Sequence, residues 1–177
     1  MFVAFISMSA MSQSKAKWDT KNGVYTNYTY GFSWDMGKEY KWKQEKRTAG
    51  DDSFVVSSEE VGFMAMTMAA KRPKGKSFDI WTTIDKVKAN YEGQLKNQGL
   101  KTKANKYEKT TFQGLHAILI DETREISGME FHGSSYYVYK NNIVYYISLF
   151  VPSAMESIGG KDLQNMKTEL LNGYKIK

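Results

Sequence analysis

Apolar residues are most concentrated between Phe112 and Pro152, and this pattern predicts three consecutive β-strands. The segment is rich in β-branched and aromatic residues, which is typical of a pleated and largely buried surface. Ser127-Gly128 and Asn141-Asn142 interrupt it with residues that tolerate a positive φ, so each pair predicts a two-residue hairpin turn. The segment is therefore predicted to be an antiparallel meander at the centre of the fold.

The two turns also predict which residues face each other across the meander. The first turn sets Glu125 opposite Glu130, and the second sets Tyr136 opposite Ile147. With this register, apolar side chains lie on both faces of the meander. Because neither face is polar enough to be left in water, we expect helices packed on both faces of the sheet.

Two segments have the periodicity of an amphipathic helix. The first spans about Asp79 to Asn97, can be capped by Ser77 or Asp79, and stops before Gly99. Its apolar stripe consists of Ile80, Ile84, Val87, Tyr91 and Leu95. The second helix is predicted to follow a turn over residues 153–160 and to stop at Gly173. Its stripe consists of Leu163, Met166, Leu170 and Leu171.

The amino-terminal half of the chain predicts further strands. Alternation from Tyr28 to Trp34 predicts one aromatic strand, and residues 54–57 and 61–69 predict two more. Residues 38–46 fit either a short helical turn or an edge strand, and the basic segment 101–109 fits a connector or an edge strand. In total we expect a single α+β domain in which an antiparallel sheet of about six strands carries two helices.

Composition narrows the class of protein. The 177 residues suffice for one domain with its own core, and the absence of cysteine excludes disulfides, thiolate metal sites and a cysteine nucleophile. The net charge of +6 arises from 25 basic residues interspersed with 19 acidic ones, a balance that favours solubility over nucleic-acid binding. Beyond the amino terminus no apolar run approaches the roughly 20 residues that span a bilayer, so no transmembrane segment is predicted.

Residues 1–12 combine an apolar run with small residues and predict a secretory signal peptide. Ala10-Met11-Ser12 before Gln13 has the small-x-small pattern of a signal-peptidase site. No basic residue precedes the apolar run, which is explained if the peptide starts upstream of the first residue given. The alternative is that residues 2–6 form a buried strand of a cytosolic protein. We favour export, with residues 13–177 as a mature domain in the periplasm or outside the cell.

Two segments predict a surface for a ligand or partner. One is polar with embedded aromatic residues, and the other is a basic loop around proline and glycine. A basic loop can bind anionic headgroups, a polysaccharide or the acids of a protein partner, or it can simply be solvated. The residues of this predicted surface are Tyr40, Trp42, Lys71, Arg72, Lys74 and Lys76.

Catalytic motifs are absent from the sequence. The serine-hydrolase elbow, the helical zinc-protease motif and the phosphate-binding loop do not occur. His116 lies in a predicted strand without a triad context, so we expect a half-buried histidine with a local partner. The sequence therefore predicts no catalytic residues, no enzymatic activity and no organic cofactor.

One polar cluster has the composition of a metal site. The predicted register places three carboxylates and an imidazole on one face of the first hairpin, and such ligands suit Zn²⁺ or Mn²⁺. The alternative is a set of solvated charges at a hairpin end, with Arg124 and Lys140 as counter-ions. The candidate ligands are Asp121, Glu125, Glu130 and His132.

The order of these features resembles the PsbP-like fold, a group that includes the photosystem II extrinsic subunit P and DcrB-type bacterial periplasmic proteins. The resemblance lies in the aromatic strand ending Tyr30-Gly31-Phe32-Ser33-Trp34-Asp35, the helix over 79–97, the long strand opening with Phe112 to Ala117, the strand ending at Pro152 and the terminal helix. It implies an antiparallel sheet with helices on both sides that serves mainly as a docking module without a common active site.

Three functions are compatible with these observations. We favour an exported, non-enzymatic binding or assembly domain of a bacterial cell envelope that holds a protein partner. The second is a carrier of a small ligand or metal ion, with a pocket between sheet and helix that is lined by tyrosine and methionine side chains. The third is an enzyme that uses the carboxylates of the hairpin.

Overall fold

The computed structural model describes residues 16–45, 53–72, 79–97 and 101–177. The described residues form eleven strands and two α-helices. The strands of the amino-terminal half are β1 (Ala16–Asp19), β2 (Val24–Asn27), β3 (Phe32–Asp35), β4 (Lys43–Gln44), β5 (Ser53–Ser57) and β6 (Met64–Lys71). The later strands are β7 (Thr102–Phe112), β8 (Leu115–Ile126), β9 (Met129–Lys140), β10 (Ile143–Pro152) and β11 (Tyr174–Ile176). The helices are α1 (Ile84–Asn97) and α2 (Ser153–Asn172).

The strands form two antiparallel sheets. The large sheet has the order β4-β5-β6-β10-β9-β8-β7, and the small sheet has the order β1-β2-β3-β11. The described part of the chain thus passes from the small sheet to the large one and returns to the small one through α2. In the described part of the chain no helix is long and apolar enough to cross a membrane.

The meander of β8, β9 and β10 lies at the centre of the large sheet, and its predicted register is confirmed. Glu125 faces Glu130, and Tyr136 faces Ile147. Both turns use two residues of positive φ, 52° and 79° at Ser127-Gly128 and 52° and 61° at Asn141-Asn142. Two positive values identify type I′ turns, whose twist matches that of the flanking strands and fixes the register.

Helix α1 covers one face of the large sheet, as its periodicity predicts. Asp79 caps the helical segment, because its Oδ1 accepts a hydrogen bond from the N–H of Trp81 at 2.9 Å. The predicted stripe packs on Ile118, Ile120 and Tyr146. The buried residues of this layer from the helical segment are Ile80, Val87, Tyr91 and Leu95. Ser77 and Gly99, the other predicted ends of this helix, lie outside the described residues.

The opposite face of the large sheet is not covered by a helix alone. The prediction of helices on both faces is therefore wrong for this face. The small sheet covers much of this face, and α2 packs beside it. Tyr25 stacks on Phe54 with ring centroids 3.9 Å apart, and Phe32 meets Tyr145 edge-on at 5.9 Å. Aromatic side chains of the first strands thus supply much of the apolar surface that covers this face.

The segment from Tyr28 to Trp34 is a hairpin turn followed by a strand, and the prediction of one continuous strand is wrong. The Asn27 side chain accepts a hydrogen bond from the N–H of Tyr30 at 3.0 Å, and Gly31 has a φ of 65°. An asparagine that bonds to a backbone N–H three residues later favours a turn. The alternation of aromatic residues therefore continues through a reversal of the chain.

Other boundaries also differ from the sequence prediction. Helix α2 starts directly after Pro152, so the predicted turn over 153–160 does not exist. The described part of segment 38–46, residues 38–45, contains both alternatives, a 3₁₀ turn at Lys38–Tyr40 and the short strand β4. Of the segment 101–109, all residues after Lys101 belong to the long edge strand β7. Strand β11 pairs with β3 and was not predicted. The predicted signal peptide, residues 1–12, lies outside the described residues.

Candidate functional site

The predicted surface of aromatic and basic residues does not form one patch. Trp42 is 4% exposed and its indole N–H donates to Met36 O at 2.8 Å, so Trp42 is a core residue and its assignment to a partner surface is wrong. Tyr40 is half-buried near the start of β6, where its carbonyl accepts a hydrogen bond from Ser58. Lys71 lies at the other end of β6, roughly 23 Å away at about 3.3 Å per residue.

The basic part of the prediction lies at the carboxyl end of β6. Lys71 is exposed, and the N–H of Arg72 donates to Asn142 O at 2.7 Å in the β9–β10 turn. Burial lowers the pKa of Arg72, but a guanidinium remains charged at any physiological pH. Lys74 and Lys76 lie outside the described residues.

Two other segments meet Lys71 at this end of the sheet. Ile143 pairs with Lys71 on one side and with Lys140 on the other. The Lys140 Nζ donates to the carbonyl of Ile176 at 3.4 Å, which links the β9–β10 turn to β11. The carboxyl-terminal strand therefore brings its own lysines to the same region.

The turn between β2 and β3 completes the region. The N–H of Lys177 donates to Gly31 O at 2.8 Å, and the hydroxyl of Tyr145 donates to Tyr30 O at 2.9 Å. Tyr28 lies in this turn and is 63% exposed. A solvent-exposed tyrosine beside several lysines offers a partner both apolar area and a hydroxyl.

We call this region the basic end. The four chain segments that form it, residues 28–31, 71–72, 140–142 and 175–177, contain five cations and no Asp or Glu. Cations gathered without carboxylates on the same segments produce a positive potential that attracts acidic surfaces. The residues of the basic end are Tyr28, Lys71, Arg72, Lys140, Lys175 and Lys177.

The carboxylate and histidine cluster follows the predicted register but is only partly assembled. His132 Nε2 lies 2.7 Å from Asp121 Oδ1, and Asn105 donates to the same oxygen at 3.2 Å. Burial raises the pKa of the Asp121 carboxyl, but the hydrogen bonds from His132 and Asn105 outweigh burial and the pKa is lowered overall. Asp121 is therefore an ionised carboxylate that is held by hydrogen bonds to His132 and Asn105.

The two glutamates of the cluster are separate from that pair. Glu125 accepts a hydrogen bond from Lys101 Nζ at 2.8 Å, and Glu130 is exposed. Both line an open groove of about 560 Å³ together with Lys101 and Asn105. Within the described residues no group of three or more His, Asp or Glu side chains is arranged to hold a metal ion.

His116 has the local partners that its sequence context predicted. Its ring stacks on Trp81 at 3.5 Å, and its Nδ1 lies 3.2 Å from Asp79 Oδ1. The indole N–H of Trp81 donates to the carbonyls of Thr110 and Ala117. His116 is thus part of the contact between the start of the helical segment and the sheet, with a side chain that is 49% exposed.

A buried polar network under α1 was not predicted. Glu122 is 0% exposed, and its carboxylate accepts hydrogen bonds from Tyr91 on α1, from Arg124 at 3.2 Å and from Ser135 at 2.5 Å. Ser135 also lies 2.6 Å from Ser148 Oγ. Burial raises the pKa of Tyr91, so its hydroxyl keeps its proton and serves as a donor. The network links α1 to the sheet.

The side chains predicted to line a ligand pocket belong to the core. Met66, Met68, Tyr137 and Tyr146 pack with the residues of α1. Tyr137 and Tyr146 meet edge-on with ring centroids 5.0 Å apart. The layer between sheet and helix is therefore occupied by these rings and thioethers, as packing of methionine under a helix would require.

Comparison with known proteins identifies the fold. No protein-family model and no curated protein matches the sequence. The solution structure of cyanobacterial PsbP (CyanoP) from Synechocystis is similar over 95% of this chain and 95% of that chain, with a TM-score of 0.59 and 9% identity. A crystal structure from Bacteroides thetaiotaomicron is similar over 93% of this chain and 49% of that chain, with a TM-score of 0.53 and 14% identity. The protein has a PsbP-like fold, which confirms the resemblance seen in the sequence.

Proposed function

We propose that the protein is an exported, non-enzymatic binding domain of a bacterial cell envelope that holds a protein partner at its basic end. The observation that supports this proposal is that three separate chain segments bring five cations to the exposed Tyr28, which lies on a fourth segment. A positive patch on one protein accelerates association with an acidic partner and disfavours basic ones. The similarity to PsbP-like folds, which share an architecture rather than an active site, is compatible with a docking role.

Charge reversal at the basic end tests the proposal. Lys71, Lys175 and Lys177 are exposed, so exchanging all three for glutamate should leave the free energy of unfolding nearly unchanged, within about 0.5 kcal/mol per site. We expect recovery of the partner from the native cell envelope to fall by about tenfold or more, because three attractive charges become repulsive. Recovery with the wild-type chain should also fall as the salt concentration rises.

A second triple variant provides the matched control. Lys38, Lys96 and Lys161 are exposed and lie away from the basic end, and their exchange for glutamate changes the net charge by the same amount. This variant should recover the partner as well as the wild type does. Equal losses in both variants would show that net charge, rather than the basic end, governs binding.

The proposed export makes a separate prediction about the mature chain. Signal-peptidase cleavage after Ala10-Met11-Ser12 leaves a protein that begins at Gln13. The intact mass of the protein isolated from the cell envelope should therefore correspond to residues 13–177. A mass that retains the segment before Gln13, on protein found in the cytoplasm, would contradict export while leaving the binding test of the basic end intact.

A further inference from the structure

Strand β7 is the outermost strand of the large sheet on the side of the meander. It is eleven residues long and pairs with β8 along its whole length. Within the described residues no strand pairs with its outer edge. An outer edge of this length presents a row of backbone N–H and C=O groups that another chain can use.

The turn between β7 and β8 determines which backbone groups point outward. Gln113 and Gly114 have φ values of 53° and 76°, so this is again a two-residue turn. Phe112 and Leu115 next to such a turn form a hydrogen-bonded pair, and bonded and non-bonded pairs alternate along the ladder. The backbone groups of three residues therefore point away from β8, and these residues are Tyr107, Lys109 and Thr111.

A β-bulge limits the usable part of the edge. The register shifts between Ala104 and Lys106, and the extra residue Asn105 turns its side chain towards Asp121 and Thr123, with contacts of 3.2 Å and 3.0 Å. A bulge twists an edge strand and interrupts pairing. The regular edge is thus the stretch after Lys106, which is long enough for a short strand.

The charged residues beside this edge are three lysines and two glutamates, which gives an excess of one positive charge. Lys88 of α1 lies over the Tyr107 ring at 5.5 Å, and Lys109 is exposed on the strand itself. Both carboxylates of this region have partners, since Glu108 is paired with Lys106 at 2.6 Å and Glu92 of α1 accepts a hydrogen bond from the Tyr107 hydroxyl at 3.4 Å. Lysines repel the same edge of a second copy, so pairing between two β7 strands is disfavoured. The same lysines attract an acidic strand.

We propose that the edge of β7 over Tyr107–Thr111 binds an extended acidic segment of another protein as an eighth strand of the large sheet. Main-chain hydrogen bonds supply the affinity in this mode of recognition, and the flanking charges select the partner. The proposal goes beyond docking at the basic end and does not depend on it, because it concerns a different surface and a different type of contact.

Hydrogen exchange with a synthetic peptide tests the proposal. The probe is a nine-residue peptide of alternating glutamate and valine, and its counterpart carries lysine in place of glutamate. At ten times the dissociation constant, the acidic peptide should slow exchange of the outward amides of Tyr107, Lys109 and Thr111 by about tenfold. Glu108 and Thr110, whose amides bond to β8, should change little. The lysine peptide should not protect any of these amides.

A proline variant separates strand addition from simple charge attraction. Proline is tolerated on an edge strand where its missing N–H would face solvent, so Thr111→Pro should fold and yet lose most of its affinity for the peptide. The control Thr111→Val keeps the N–H and should bind as the wild type does. A peptide with alternate amides methylated should also fail to bind, which tests the same contact without altering the protein. Undiminished binding by Thr111→Pro and by the methylated peptide, or no binding of the acidic peptide at all, would overturn the proposal.

Discussion

Replacing Glu122 by alanine should lower the free energy of unfolding by about 3–5 kcal/mol. Glu122 has no exposed surface and accepts hydrogen bonds from Tyr91, Arg124 and Ser135. Its removal leaves the guanidinium of Arg124, 14% exposed, without its carboxylate and over the ring of Phe150 at 4.4 Å. A charge buried without its partner costs far more than the loss of a surface pair.

Two further variants separate the charge effect from the loss of volume. Glu125→Ala removes a carboxylate of the same strand that is 43% exposed, and it should change the free energy of unfolding by no more than about 0.5 kcal/mol. Exchanging Glu122 and Arg124 together for methionine should recover much of the stability, because a buried ion pair can be replaced by apolar side chains of similar size. Urea denaturation of the four proteins measures these differences, and a mild effect of Glu122→Ala would contradict the network.

Gly173→Ala should destabilise the protein by about 3 kcal/mol, the upper end of the usual cost of overpacking. Gly173 follows α2, and its carbonyl accepts a hydrogen bond from the N–H of Asp35 at 3.0 Å. A Cβ at this position would lie 1.9 Å from the carbonyl oxygen of Asp35. Because the clash is with backbone of β3, no side-chain rotation relieves it, and the contact between α2 and the small sheet must open.

The same substitution at Gly93 serves as the control and should have the opposite sign. Gly93 lies inside α1, and nothing would lie within 4 Å of an added Cβ. Alanine there should stabilise the protein by about 0.5–1 kcal/mol, because glycine loses more backbone entropy in a helix. Thermal or chemical unfolding of both variants checks the pair. A Gly173→Ala variant as stable as the wild type would mean that α2 ends differently from the structure described.

The meander could be predicted because its turns fix the register. Ser127-Gly128 and Asn141-Asn142 allow only a short loop, and alternation then assigns every side chain of three strands to a face. The small sheet could not be predicted in the same way. Its strands have three or four residues each, and β11 pairs with β3 across 140 positions of the sequence at Tyr174 and Trp34 and 144 at Ile176 and Phe32.

The basic end could be predicted only in part from the sequence. Lys71 and Arg72 were found as a cluster because they are neighbours in sequence, whereas Lys140, Lys175 and Tyr28 join them only through the pairing of distant strands. Trp42 was wrongly assigned to the surface because the polar residues around it in the sequence do not show that its indole lies in the core. A periodic series of hydrophobic positions predicts which side chains are buried better than one isolated aromatic residue does.

The buried network around Glu122 could be predicted only in part from the alternation of side chains along β8. Glu122 continues the inward series of Ile118 and Ile120, so its position on the α1 face follows from parity alone. The residues that donate hydrogen bonds to Glu122 cannot be predicted from this alternation. Tyr91 comes from a helix and Ser135 from the next strand, and their approach to one carboxylate requires the packing angle of α1 on the sheet.

Photo-crosslinking in the native cell envelope tests the proposed role of the basic end most directly. A photo-reactive phenylalanine analogue replaces exposed Tyr28 in one variant and exposed Lys96, on the distant end of α1, in the other. We predict a single crosslinked protein species from position 28 that is lost when Lys71, Lys175 and Lys177 are exchanged for glutamate, and none from position 96. No protein crosslink from position 28, or the same product from both positions, would contradict docking at the basic end.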